Sequence, residues 1–300
     1  MKAVITGAHG FVGRHLARHL RACGDVVHGL DLDGGEPIDV ADADAVHRHL
    51  RALAPDVVYH LAARSHVGES WADEAGVERV NVGGTAAVLA AAAATGVERV
   101  LVVGSAEQYG AAATPGVPIG EDTPMEPRSP YARSKVAAEA LALQAAVEGL
   151  GVVCTRAFNH TGPGQSTRFL VPALAARIAQ AERDGLDTVP IGNTTPVRDV
   201  TDVRDVVRAY RLVALQGAPG AVFNVASGQA VTVGELAARL LARATRPVRL
   251  EVDPELLRPV DVPVLVGDAG RLRSATGWSP AIPLDTTLGD VLDDARGQLT

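Results

Sequence analysis

Three hundred residues, 47% of them hydrophobic, suffice to close a substantial core in one large unit or two intimate lobes. A formal charge of −7 argues against a surface for nucleic acid or an anionic membrane, and two cysteines are too few for a disulfide framework. Cys23 and Cys154 read as buried thiols in a reducing compartment, with no metal-ligand spacing around them. The opening residues run straight into a strand and a glycine loop without a secretory leader, and the longest apolar stretch, 86–94, is too short to span a bilayer. The expectation is a cytoplasmic protein with no metal centre.

Residues 2–6 (KAVIT) are a short β-branched run ending at Gly7, after which Phe11, Val12, Leu16 and Leu20 follow helical spacing until Gly24. Gly7, Gly10 and Gly13 lie between that strand and that helix. Glycines there let the backbone approach a pyrophosphate, while the helix N-terminus offers N–H donors. Their spacing is G-x-x-G-x-x-G rather than the more familiar G-x-G-x-x-G. Residues 26–32 are a second strand, and Asp31 at its end lies 18 residues after Gly13. A carboxylate there accepts from an adenosine ribose and repels a 2′-phosphate, so NAD(H) is expected over NADP(H), with Asp33 competing for the role. His9, inside the loop, reads as a tolerated spacer.

A helix over 45–53 closed by Pro55, a strand over 57–63 (VVYHLAA) and a helical stretch over about 80–94 follow. Residues 100–105 (VLVVGS) are apolar enough for a strand covered on both faces of a parallel sheet. A Pro- and Gly-rich loop over 114–130 leads into a helix bearing Tyr131 and Lys135 one turn apart. A cation at i+4 shares the phenol's helix face and favours ionisation of a group whose ordinary pKa is about 10. Lys2 and Lys135 are the only lysines, so Lys stands at 135 in a chain that otherwise uses Arg.

Residues 152–158 are the next strand, and the alternation up to that point predicts βαβ units in a doubly wound parallel α/β sheet. Beyond it come a loop (HTGPGQ), a helix through 174–181, a return to the sheet domain in VRDVTDVRDVVRAY, and a strand over 221–227. The remainder lacks βαβ rhythm and is expected to build a smaller lobe. The expected division is 1–157 plus about 193–228 for the cofactor domain, and about 158–192 plus 229–300 for the second lobe.

TGAHGFVG, Asp39-Val40, HLAA (60–63), Asn81, Ser105 and Tyr131-x-x-x-Lys135, in that order, resemble the extended short-chain dehydrogenase/reductase family. The resemblance implies a Rossmann-type NAD domain, with Phe11 and Val12 beside the three glycines at the cofactor, and a smaller α/β C-terminal lobe for a nucleotide-diphosphate sugar. It implies that Asp39 and Val40 flank the adenine, that Leu61, Ala62 and Ala63 border the ribose and nicotinamide side, and that Asn81 orders the helix beside the active site. FNHTGPGQ (158–165), VRDVTDVRD (197–205) and LRPVDVP (257–263) resemble the members that act on GDP-sugars. Asn159, Arg198, Arg258 and Asp261 match substrate-binding positions there, with the two Arg as a pyrophosphate clamp.

The implied reaction is hydride delivery from NAD(P)H to the C4 ketone of a GDP-linked 4-keto-6-deoxy-hexose. By that resemblance Tyr131 donates the proton, Ser105 shares the charge on the oxygen, and Lys135 holds the nicotinamide ribose and poises Tyr131. Glu107 in GSAEQYG leaves two alternatives open. One is a GDP-mannose-type 4,6-dehydratase with Glu107 as base and tightly held NAD; the other is a nucleotide-sugar 4-epimerase. Ala106 cannot protonate a leaving hydroxyl, which counts against dehydratases that use Asp at that place. A ligand sensor that keeps the fold without catalysis is disfavoured, because Ser105, Tyr131 and Lys135 are all present. His66 and His160 are as well explained by loop hydrogen bonding as by substrate contact. A homodimer through the helices at 81–94 and 131–148, whose Ala-rich faces allow close packing, is also implied.

Overall fold

The computed structural model describes residues 1–33, 37–110, 112, 116–257 and 262–299. The first half alternates as the apolar periodicity requires: β1 (Lys2–Thr6), α1 (Phe11–Ala22), β2 (Val26–Leu30), α2 (Ala43–Leu53), β3 (Val57–His60) and α3 (Glu74–Glu78). A π-helical turn (Arg79–Gly83) then feeds α4 (Gly84–Thr95), followed by β4 (Arg99–Ser105), α5 (Pro130–Val147), β5 (Val152–Ala157) and β6 (Asn159–Thr161). The second half comprises α6 (Leu170–Asp184), β7 (Thr188–Ile191), β8 (Val197–Asp202), α7 (Val203–Gln216), β9 (Val222–Val225), β10 (Ala230–Thr232) and α8 (Val233–Leu241). It ends with β11 (Arg249–Val252), β12 (Val264–Leu265), α9 (Gly270–Thr276) and α10 (Leu284–Gly297).

Six strands pair in the order β2-β1-β3-β4-β5-β9, every pair parallel. Helices cover both faces, because strands this apolar leave no face for water. α1 and α7 close one face around Ile5, Tyr59, Leu101, Val153 and Val206, and α2, α4 and α5 close the other around Val4, Val58, Val102 and Cys154. This is a Rossmann-type doubly wound sheet. Strand order reverses between β1 and β3, so the loops leaving their C-terminal ends diverge and open a crevice.

A third apolar cluster gathers α6, α8 and α10 around Ile178, Leu236 and Leu292. Beside it β8 pairs antiparallel with β10 and parallel with β6 and β12, while β7 and β11 form a separate parallel pair. The VRDVTDVRDVVRAY segment thus divides. Its strand joins the small sheet, whereas Val206, Val207 and Tyr210 of α7 return to the large one. Leu272 and Trp278 also pack with the large sheet's cluster, Trp278 Nε1 donating to the Asp205 carbonyl at 3.0 Å.

Two local expectations need correction. Cys154 is buried, but Cys23 is exposed, because it caps the C-terminus of α1 where the chain turns into solvent. The strand expected over 57–63 stops at His60, since Leu61–Ala63 leave the sheet to line the crevice.

Candidate active site

The glycine loop is shaped by contacts that exclude any side chain. Gly7 has φ +72°, and a Cβ there would lie 2.9 Å from the Ala62 backbone. A Cβ on Gly13 would lie 2.1 Å from the Gly7 carbonyl oxygen. Gly10 caps α1 with no side-chain hydrogen bond, so the first-turn N–H groups stay open to an anion. These residues fit a dinucleotide pyrophosphate. Phe11 and Val12 begin the helix, and the Phe11 ring stacks on His160 at 6.3 Å, tying this loop to the HTGPG segment. Asp31 lies where β2 ends, but its carboxylate also organises the loop. Oδ2 accepts from His9 N at 2.7 Å and Oδ1 from Leu32 N at 2.8 Å. His9 is therefore a partner of Asp31 as well as a spacer. Asp39 accepts from Ala41 N and Arg79, which hold its carboxyl below the ordinary range, and Val40 packs where a Cβ on Gly84 would sit.

A directional hydrogen-bond chain joins the cofactor crevice to the π-helical turn. Ala62 N donates to Thr6 Oγ1, which lies 2.7 Å from His60 Nδ1, and His60 Nε2 lies 3.0 Å from Thr85 Oγ1. Thr85 spends its one proton on the Asn81 carbonyl at 2.6 Å. It must therefore accept from His60, which sets His60 as the neutral Nε2–H tautomer with Nδ1 accepting from Thr6. Burial agrees, pulling its pKa down to about 3 with help from the Lys135 charge. Asn81 then clips the crevice to α5. Its Oδ1 accepts from Arg64 N at 2.8 Å, and its Nδ2 donates to Ser134 Oγ at 2.9 Å, between Tyr131 and Lys135 in sequence. A π turn at such a place is a common functional device.

Ser129 caps α5 and Pro130 takes its first position, which starts the helix so that Tyr131 and Lys135 both fall on its buried face. Burial pushes the Tyr131 phenol up to about 12; a hydrogen bond with Ser105 opposes that, and the Glu107 charge adds to it. The lowering expected from Lys135 is not found: burial outweighs the hydrogen bond with Ser105, and the phenol is harder to ionise than a free one. Lys135 Nζ instead donates to the Val103 carbonyl at 2.8 Å, and burial brings its pKa down to about 8. Ser105 ends β4, and its Oγ accepts from Glu107 N at 3.2 Å. Ser105, Glu107, Tyr131 and Lys135 form one cluster at the C-terminal edge of the sheet.

The residues matched to the sugar nucleotide are less tightly gathered. Asn159 is exposed on β6 opposite Val200, and Arg198 lies two residues earlier on β8, donating to the Val197 and Val262 carbonyls. Arg258 and Asp261 lie outside the described residues. A cavity of about 460 Å³ borders Ala63 and is walled by His66, Glu69, Arg168 and Phe169. His66 Nδ1 accepts from Glu69 N at 3.1 Å, and His160 Nδ1 lies 2.9 Å from the Phe158 carbonyl.

Residue-type reasoning passed over Thr6, His60 and Thr85, and also Gln108, Glu139 and Arg156. His60 opens the HLAA motif, and Glu139 continues the i, i+4 series of Tyr131 and Lys135, so both had a signal. Gln108 and Arg156 had none.

The family model described as NAD dependent epimerase/dehydratase family matches residues 3–226. A curated relative, GDP-6-deoxy-D-mannose reductase of Pseudomonas aeruginosa, is 36% identical over 97% of this chain and 95% of its own length. Among solved structures, RMD from Pseudomonas aeruginosa complexed with NADPH superimposes with a TM-score of 0.90 at 35% identity, covering 99% of both chains. UDP-glucose 4-epimerase of Thermus thermophilus, complexed with NAD, superimposes with a TM-score of 0.88 at 29% identity, again covering 99% of both chains.

Proposed function

The chain belongs to the NAD dependent epimerase/dehydratase family, whose members are NAD(P)-dependent nucleotide-sugar enzymes, and on that premise we propose that it reduces the C4 ketone of a GDP-linked 4-keto-6-deoxy-hexose. The observation that carries the reductive direction is the 36% identity, over 97% of this chain, to a GDP-6-deoxy-D-mannose reductase, which also supports the GDP nucleobase. Tyr131, buried and hydrogen-bonded with Ser105, is the proton donor that reduction of the ketone requires. Dehydratases and epimerases begin with oxidation of the sugar, for which the same group must first act as a base.

The bound nicotinamide supplies the hydride. Tyr131 delivers its proton to the O4 oxygen, and Ser105 hydrogen-bonds that oxygen as charge builds on it. Lys135, one turn along the helix, holds the ribose hydroxyls in this reading. Asn159, Arg198, Arg258 and Asp261 bind the sugar nucleotide in this reading, with the guanidinium groups on its phosphates. The Asp31 carboxylate favours NADH over NADPH through repulsion of a 2′-phosphate. We place the enzyme in the cytoplasm, and among the described residues no helix is long and apolar enough to cross a membrane. We assign a homodimer to α4 and α5, which expose Ala86, Ala90, Ala93 and Ala140.

Glu107 supports one second reading. Its charge reaches Tyr131, so a base stands beside the proton donor, as a 4,6-dehydratase needs. Absorbance at 340 nm separates the two, with purified protein, GDP-4-keto-6-deoxymannose and NADH or NADPH. Loss of many equivalents of reduced cofactor per enzyme establishes the reductase. No loss while the substrate binds removes that reading and favours an enzyme that returns the hydride internally.

A further inference from the structure

α5 presents three polar side chains at successive turns of one buried face: Tyr131, Lys135 and Glu139. The third is not explained by cofactor or substrate. Glu139 is 3% exposed and meets Arg156 of β5 in a two-pronged pair, Oε2 accepting from Nε at 2.9 Å and Oε1 from the second terminal nitrogen at 2.6 Å. Arg156 is further held by the Tyr109 hydroxyl and the Glu121 carbonyl, both at 2.9 Å, and Tyr109 donates onward to Asn224. A buried pair this well satisfied is rigid, because no member can move without stranding a charge.

Gln108 connects that anchor to the active site. Its Nε2 donates to Glu139 Oε2 at 2.9 Å, and its Oε1 accepts from the backbone N of Ser105 at 2.8 Å. Gln108 is completely buried. Space for it is made on the neighbouring strand, where a Cβ on Gly104 would lie 2.4 Å from Gln108 Oε1. Among residues of this length, only Gln meets the requirement without taking up a proton. Ser105 N can only donate and the Glu139 carboxylate can only accept, so position 108 needs an acceptor at one end and a donor at the other. That also settles which way the amide faces.

We propose that Gln108 is a positioning residue, spanning from the Glu139–Arg156 pair to the Ser105 backbone so that the Ser105 hydroxyl is held in register with the Tyr131 phenol. The role rests on the assignment of Ser105 and Tyr131 to the reacting carbonyl. Glu139 and Arg156 anchor the device, and Gln108 transmits it without touching substrate or cofactor.

The test uses full-length protein labelled with ¹³Cζ-tyrosine, which gives four tyrosine resonances, that of Tyr131 identified by its loss in Tyr131→Phe. In Gln108→Met the Tyr131 resonance moves, while those of Tyr59 and Tyr210 stay in place. Val46→Ala, a core truncation on α2, moves none of them although it lowers the melting temperature. An unmoved Tyr131 resonance in folded Gln108→Met overturns the proposal, and this readout does not depend on which sugar is reduced. With turnover in hand, Gln108→Met loses roughly ten- to a hundredfold in kcat, as a small misplacement of a reacting group does, with little change in KM. Gln108→Glu, which restores both hydrogen bonds only when protonated, recovers kcat relative to wild type as pH falls, and Gln108→Met does not. Equal pH profiles for the two variants count against the role.

Discussion

Lys135 Nζ donates to the carbonyl oxygen of Val103 at 2.8 Å, which places the charge of α5 on the backbone of β4 rather than on the phenol one turn before it. The site holds this cation at a cost, since burial lowers its pKa from 10.5 to about 8. The folded chain therefore binds fewer protons than the unfolded chain between those values. The group's contribution to stability is full above pH 10.5 and is lost as pH falls through about 8. Lys135→Met removes the charge and that dependence. At pH 7 the variant is expected to be more stable than wild type by up to about 3 kcal/mol, an advantage that shrinks as pH approaches 10.5, while turnover falls on the order of a hundredfold. Urea midpoints across pH 6–10 check the first part; a constant difference between the two proteins refutes it.

Tyr131 is the proposed proton donor, a buried residue whose hydroxyl is hydrogen-bonded with Ser105. Tyr131→Phe keeps the ring and its packing but removes the proton. The expected outcome is a loss in kcat of roughly 10²–10⁴-fold, with NADH affinity by fluorescence titration within about twofold of wild type. Near-normal turnover would show that another group donates.

His60 is buried neutral, with its pKa brought from 6.5 to about 3. The unfolded chain takes up this proton first, so the stability contribution is complete above pH 6.5 and is lost as pH falls towards 3. That is on the order of 5 kcal/mol of acid sensitivity. His60→Gln is predicted to be less stable at pH 7, through the broken Thr6–His60–Thr85 chain, and to lose less on acidification. Denaturation curves at pH 7 and pH 4.5 measure both. Parallel pH dependence in the two proteins argues against a buried neutral histidine.

Asp31 combines two tasks in this reading, since the carboxylate proposed to meet the ribose also accepts from His9 N. Asp31→Ser removes the charge and loosens the loop. Affinity for both cofactors is expected to fall, but the ratio of kcat/KM for NADPH to that for NADH rises about tenfold or more, equivalent to about 1.4 kcal/mol. An unchanged ratio means that discrimination lies elsewhere in the crevice.

Periodicity and motif spacing determined much of this protein by themselves. The β-branched run before Gly7, the near-continuous apolar strand ending at Ser105, and the one-turn separation of Tyr131 and Lys135 depend on neighbours within a few residues. They were legible for that reason, and with them the parallel sheet and the gathering of Ser105, Tyr131 and Lys135 at one edge of it. What only the tertiary structure decided involves partners far apart in the chain. His60 finds Thr6 and Thr85 because β1 and β3 are adjacent in the sheet and α4 packs over them. Gln108 finds Glu139, and Glu139 finds Arg156, because α5 lies across β4 and β5. Strand order follows from how whole faces are buried, which local spacing does not encode. The direction in which Lys135 points was decided the same way, by a carbonyl 32 residues earlier in the chain that the fold brings within 2.8 Å.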